Sequence, residues 1–323
     1  MNDWSQYSTI NEDGLNTRLV ETMDAVKEAA LKLLNVGGKD LIVTGDLFHT
    51  RGRMKPSVFN PVINLFSGLA KEGIKIHILP GNHDLEGRDS DALGNATAAF
   101  SLIEGVRVYN EPTLVGNFAF IPWIESKEDF VLEIDSIPDP SNKVVFCHIG
   151  IDGVLDKVAG KVGKAVLDKG FKYVFSGDYH KHKYLGDGIY SVGALTHHSF
   201  ADVNSIAGYL IVTEDEVKQF ETKAAKFVTD PVSLDQIKGN YIRYTGEVTA
   251  SFAKDMIDGA YLIGAKHVVD LTTRPSIKDD SKSTTKVKVD LGFKEALESF
   301  TKRRYGANHA EVLKEARAII DDV

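Results

Sequence analysis

Four short apolar runs, each ending in residues that can hold protons or metals, constrain this chain more than any other feature. The first is Leu41-Ile42-Val43-Thr44, which runs straight into Gly45 and Asp46. A run rich in β-branched and apolar side chains that stops at glycine reads as a buried strand presenting a carboxylate at its C-terminal end. Three later stretches repeat the plan. Ile74 to Leu79 leads into Pro80-Gly81-Asn82-His83-Asp84, Val144 to Cys147 into His148, and Tyr173 to Ser176 into Gly177-Asp178-Tyr179-His180. Four strands therefore deliver Asp, Asn-His-Asp, His and Asp-x-His to one edge of a sheet, the edge where ligands bind in α/β folds. The donors are hard oxygens and imidazoles without a thiolate, a set that suits manganese, iron or zinc.

The order Gly45-Asp46-Leu47-Phe48-His49, Gly81-Asn82-His83-Asp84, His148 and Gly177-Asp178-Tyr179-His180 resembles that of the calcineurin-like metallophosphoesterases. Within them, Gly45 to His49 followed by Lys55-Pro56-Ser57 is similar to the SbcD-type repair nucleases, subunits that work with an SMC-like ATPase. The resemblance spans about residues 10 to 200 and implies an α/β fold: a two-sheet metallophosphoesterase sandwich flanked by helices, with a smaller α/β C-terminal domain and terminal helices. It also implies phosphodiester hydrolysis with two divalent ions, manganese by preference, and DNA and the ATPase as partners. A homodimer is compatible with it.

Residue by residue, the resemblance makes Asp46 the ligand bridging both ions, and places Asn82, His148 and Asp178 on the second ion and His180 on the first. His83 corresponds to the residue that donates a proton or hydrogen bond to the phosphate or leaving group, with Asp84 fixing its tautomer. His49 would orient the substrate or Asp46. Where relatives have Gly-His-x-His, Asp178 replaces the first histidine, which makes that ligand harder and anionic. Arg51, Arg53 and Lys55 form either a solvated turn or a phosphate-contacting lip. Relatives begin with a strand ending in Asp-x-His, whereas this chain opens Met1-Asn2-Asp3-Trp4, and Asp3 has no histidine two residues on. The expectation is a shortened form of a longer product rather than a scaffold subunit that has lost its first metal site. Another kind of metallophosphodiesterase would share the motifs but not explain the C-terminal appendix.

A chain of 323 residues exceeds what one hydrophobic core usually organises. The expected division is a nuclease domain over 1–229, a small capping or DNA-binding domain over 230–275, a linker over 276–285 and a partner-docking helical segment over 286–323. Net charge is −8, which argues against a general affinity for phosphate backbones. The acidity is unevenly spread: residues 231–323 carry 15 Lys and Arg against 14 Asp and Glu. Cys147, the single cysteine, sits in an apolar strand and reads as core. Neither a long apolar run nor a signal-like N-terminus is evident, so no membrane partner and a cytoplasmic location are expected.

Helical spacing from Leu15 to Leu33 predicts a helix that packs on the sheet and ends at Gly37-Gly38. Pro56 opens a second helix that Pro61 perturbs, and 89–103 reads as a third. Val106 to Tyr109, Asn117 to Ile121 and Tyr190 to Ala194 read as strands, and 209–220 as a hairpin. The aromatics of 118–123 are expected in the core, and His197 and His198 on a polar rim. In the C-terminal part, 241–248, 251–261 and 267–272 read as strand, helix and strand. Phe293, Leu297 and Phe300, then Val312, Leu313 and Ile320, mark two short amphipathic helices suited to docking.

Overall fold

The computed structural model describes residues 1–49, 53–87 and 94–274, together with residues 298, 301–302, 309–310 and 312–314. The chain forms two compact units, Met1–His197 with Asn204–Ala224, and His198–Val203 with Ala225 onward.

In the first unit, α1 (Thr17–Asn35) starts where the Asn16 side-chain oxygen accepts the backbone N–H groups of Arg18 and Leu19. β1 (Asp40–Val43), β2 (Lys75–Ile78) and β3 (Val106–Val108) form a parallel sheet in that order, with α2 (Pro56–Lys71) between the first two in sequence. Pro61 lies inside α2 without ending it. The second sheet holds β4 (Thr113–Val115), β5 (Phe118–Ile121), β6 (Val144–His148), β7 (Tyr173–Gly177), β8 (Lys183–Gly186) and β9 (Ile189–Ser191). Its order is β4-β5-β6-β7-β9-β8, with the four central strands parallel and both edges antiparallel. Two helices, α3 (Lys127–Asp135) and α4 (Lys164–Leu167), and a hairpin of β10 (Gly208–Val212) and β11 (Val217–Glu221) complete this unit.

Side-chain alternation along the strands sorts the core into layers. Val145 and Cys147 of β6 pack with Phe130, Ile134 and Leu167 from the helices on one face. Phe146, between them in sequence, faces the other way and joins Leu79, Tyr109, Phe120 and Phe175 between the two sheets. Leu19, Val62, Phe66, Ile76 and Phe100 fill the layer under α1 and α2. The result is the expected two-sheet sandwich with helices outside. The inter-sheet layer is a run of stacked rings: Tyr109 to Phe120 at 4.0 Å between centroids, Phe120 to Phe146 at 5.4 Å, Phe146 to Phe175 at 5.5 Å and Phe175 to Tyr190 at 5.3 Å. His77 faces Phe120 at 5.2 Å and is held between the Tyr109 hydroxyl, 2.7 Å away, and Asp40, 3.0 Å away.

Of the expected helix over 89–103, residues 89–93 lie outside the described residues, and 94–103 does not form a regular α-helix. The described part is a 3-10 turn at Ala98–Leu102, preceded by a bridge between Leu85 and Asn95. The Asn95 side-chain oxygen captures both the backbone N–H and the hydroxyl of Thr97, so local side-chain bonds compete with a regular helix. His197 is also not on a rim. It is buried, its Nε2–H donates to the Ser205 carbonyl at 2.9 Å, and its own carbonyl accepts from Arg18.

In the second unit, β12 (Phe227–Thr229), β13 (Tyr241–Tyr244) and β14 (His267–Asp270) form a parallel sheet, with α5 (Ala250–Ile263) crossing between the last two. Ile237, Ile242, Tyr244, Ala260 and Val268 make its core. β12, grouped with the preceding hairpin from sequence, belongs to this sheet. The expected linker, and Phe293, Leu297, Phe300 and Ile320 of the terminal helices, lie outside the described residues; the few described positions from 298 to 314 are helical, with Thr301 and Leu313 buried. Among the described residues no helix is long and apolar enough to cross a membrane.

Phe120 is 1% exposed at the centre of the ring stack. Phe120→Ala is expected to lower unfolding free energy by about 3–5 kcal/mol, the range for truncating a buried aromatic, as read from the midpoint of a urea titration. A loss below about 1 kcal/mol would mean that the two sheets do not depend on this layer.

Candidate metal centre

His148 is the last residue of β6, and Asp46, Asn82 and Asp178 stand in the loops just beyond β1, β2 and β7, where glycines permit close approach. Gly45 adopts φ +95°, and a Cβ there would come within 2.0 Å of His148 Nδ1. A Cβ on Gly81 would meet Asp46 Oδ1 at 2.2 Å. No residue with a side chain fits either place, which is the physical content of the Gly-Asp and Gly-Asn-His-Asp motifs. Asp46 and Asp178 have φ of 54° and 91°, on the side of the map where asparagine and aspartate are the usual non-glycine residues. Backbone held there at both carboxylates fits a site that the surrounding structure over-determines.

His148 is the centre of the cluster. Its ring is buried, and Nδ1–H donates to the Thr44 carbonyl at 2.7 Å, which leaves Nε2 to face the site. Around Nε2 lie Asn82 Oδ1 at 3.3 Å, Asp46 Oδ1 at 3.4 Å and Asp178 Oδ1 at 3.8 Å. Donor atoms of Asp46, His148 and Asp178 all fall within 4.8 Å of one another. Burial opposes charge on His148, but the hydrogen bond and charge of Asp46, with help from Asp178 and the Thr44 carbonyl, carry its pKa up to about 9. Burial also works against Asp46, yet its bonds to His148 and to the His83 backbone N–H hold its pKa below the usual carboxylate value. Asp178 is pushed up, first by burial. Two carboxylates, an amide oxygen and an imidazole with its remote nitrogen already committed suit a divalent cation, so the donor set fits the metal that the sequence implies.

The other sequence candidates are placed less uniformly. His83 is half-buried, tied by its backbone to Asp46 and stacked on His49 with 4.7 Å between centroids; His49 in turn stacks on Trp4 at 5.8 Å. Burial and the neighbouring His83 keep the His49 pKa low. His180 is half-buried and close enough for its charge to act on both Asp178 and His49. Asp84 does not hold the His83 ring: its two oxygens accept backbone N–H groups of Phe48 at 2.8 Å, Leu47 at 3.2 Å and Gly81 at 2.8 Å. It is a tie between the first two ligand loops, and burial, with the Asp46 charge next, lifts its pKa to about 6. Arg51 lies outside the described residues, Arg53 is exposed, and Lys55 pairs with Asp3. The Met1 amino group donates to the Leu47 carbonyl at 2.6 Å, and burial lowers its pKa to about 6.

Two neighbours were not foreseen. Thr44 supplies the carbonyl that orients His148, a backbone contribution that leaves no mark in residue type. Trp123, read as a core aromatic, sets its ring edge-on to His148 at 6.0 Å and 70°. The thiol of Cys147, on the opposite face of β6, is pushed up to about 12 by burial, as suits a core residue.

Comparison with known proteins gives one family: residues 12–184 match the calcineurin-like phosphoesterases. None of the curated proteins matches the chain. A solved crystal structure aligns with 62% of this chain and 95% of its own at 14% identity, with a TM-score of 0.39.

A metal at this centre competes with the proton on His148 Nε2. Below about pH 9 that proton is bound, so uptake is expected to release about one proton per ion at pH 7 and to tighten as pH rises toward 9. In the metal-free protein the signs run the other way: stability from protonated His148 is complete below pH 6.5 and is lost as pH rises through about 9. Titration calorimetry with Mn2+ in buffers of different ionisation enthalpy reads the proton count directly. A count of zero would contradict this assignment.

Proposed function

The chain belongs to the calcineurin-like phosphoesterase family, and from that premise we propose that it is a manganese-dependent DNA exo- and endonuclease subunit of a recombination or repair complex. Family membership makes it a metal-dependent phosphoester hydrolase. The observation carrying the reading is the convergence of Asp46, His148 and Asp178, with Asn82 beside them, at the ends of strands from both sheets. Asn82, His148 and Asp178 would hold one divalent ion, with Asp46 shared toward His180. When bound, such ions neutralise nonbridging phosphate oxygens and make an attacking hydroxide available at neutral pH.

The chain's own groups have separate tasks. Asp46 and Asp178 provide negative charge; Asn82 provides a neutral oxygen; Thr44 fixes the tautomer of His148. His83, braced by His49, is the group positioned to give a proton to the departing oxygen. Asp84 keeps the Asp46 and Asn82 loops at a fixed separation. DNA as substrate and an SMC-like ATPase as partner rest on the SbcD-like run Gly45 to His49 with Lys55-Pro56-Ser57, and on a C-terminal part less acidic than the rest. The alternative is a scaffold subunit without turnover.

With Mn2+ and a labelled DNA duplex, the protein is expected to release nucleotides or cleave internally. His83→Ala should lower turnover by about 10² or more with metal content nearly unchanged. Loss of metal together with activity would make His83 a ligand, and no Mn2+-dependent cleavage at all would favour the scaffold. Removal of residues 286–323 tests the partner: docking requires a folded remainder that no longer co-purifies with the ATPase, whereas a marked fall in melting temperature identifies the segment as a cap.

A further inference from the structure

Trp123 and Lys161 form a pair beside the metal centre that hydrolysis of a single phosphate group does not require. The Trp123 backbone N–H donates to the Pro80 carbonyl at 3.0 Å, in the loop that carries Asn82, and its ring meets His148 edge-on at 6.0 Å. Both contacts hold the indole against the ligand shell. Its Nε1–H is buried and has no hydrogen-bond partner among the described residues. A buried donor left unpaired is costly, and structures keep one where a water, an ion or a ligand completes it.

The Lys161 ammonium lies 3.8 Å from the centroid of the same ring. An ammonium has three N–H donors. Two have oxygen acceptors: the Ile124 carbonyl at 3.1 Å, and Glu125 Oε2 at a long 3.5 Å on the partly exposed rim, a pairing of small worth. A cation over the face of an indole draws electron density from the ring and makes its N–H a better donor. A neutral donor and a positive charge thus sit together beside the metal-binding imidazole, and the ligand that satisfies both is an anionic oxygen.

We infer that Trp123 and Lys161 form a subsite for a phosphate next to the scissile one, so that the preferred substrate is a polynucleotide strand rather than an isolated phosphate ester. This rests on the phosphodiesterase reading above. Lys161 gives up its long contact to Glu125 for the phosphate, and the Trp123 N–H fixes the strand's position relative to His148.

The test uses the full chain loaded with Mn2+ and two substrates, a single-stranded oligonucleotide and bis(p-nitrophenyl) phosphate, which has no second phosphate. Lys161→Met keeps the aliphatic stem over the indole, and Trp123→Phe keeps a ring without the donor. Each is expected to lower the ratio of kcat/KM for the oligonucleotide to that for the small ester by about tenfold or more. Lys161→Met should also flatten the slope of log affinity against log salt by about 0.7, the value for one phosphate contact on a single strand, a change that loss of packing would not produce. Binding is read separately. The chain has two tryptophans, so in Trp4→Phe the emission reports Trp123 alone, and it should change on adding the oligonucleotide. Equal losses on both substrates, an unchanged salt slope or an unresponsive Trp123 would each overturn the subsite. Binding without cleavage of the oligonucleotide would leave the subsite standing and remove the nuclease reading.

Discussion

The bond from His148 Nδ1–H to the carbonyl of Thr44 holds the site together. Thr44 follows β1 in one sheet and His148 ends β6 in the other, so this 2.7 Å contact joins the two sheets where the ligands converge. It fixes the imidazole tautomer and aims Nε2 at Asn82, Asp46 and Asp178. The ring stack from Tyr109 to Tyr190 sets the separation of the sheets that the bond spans. Room for it exists because Gly45 and Gly177 lack side chains; a Cβ on Gly177 would lie 2.0 Å from the Thr44 oxygen. Packing energy is thereby converted into ligand geometry.

Much of this was legible because it is local. An apolar run followed by glycine and a polar residue states both the strand and the group at its end, so Asp46, Asn82, His148 and Asp178 could be named, and the structure brings them together. The apolar runs gave the central strands, whereas their division into a two-sheet sandwich followed from the resemblance to the calcineurin-like metallophosphoesterases carried by the residues at their ends. β4 and β8, three and four residues long at the sheet edge, carry too little pattern to be seen. What could not be read were duties assigned by long-range contact. Asp84 sits next to His83 in sequence, which suggested a pair, yet its oxygens serve Leu47 and Phe48, 37 and 36 residues away. His197 looked like a loop histidine and is instead a buried link to Arg18 and Ser205.

The chain's acidity also has a local meaning. Asp46 and Asp178 are partly buried beside the same nitrogen of one imidazole, an arrangement that like-charge repulsion and desolvation both oppose. Without metal, the proton on His148 is the cation that makes the cluster tolerable, which is why its pKa climbs although burial alone would lower it. A divalent ion held by Asp46, Asp178, Asn82 and His148 would supply that positive charge in place of the proton. Proton and metal are therefore alternative occupants of one site, and the features that raise the histidine's pKa, two carboxylates and a fixed carbonyl, also raise its affinity for metal. The same logic extends outward to Lys161: a positive charge kept over Trp123, beside a cluster whose own negative charge is cancelled by bound metal, leaves a surface that attracts phosphate even though the chain as a whole repels it.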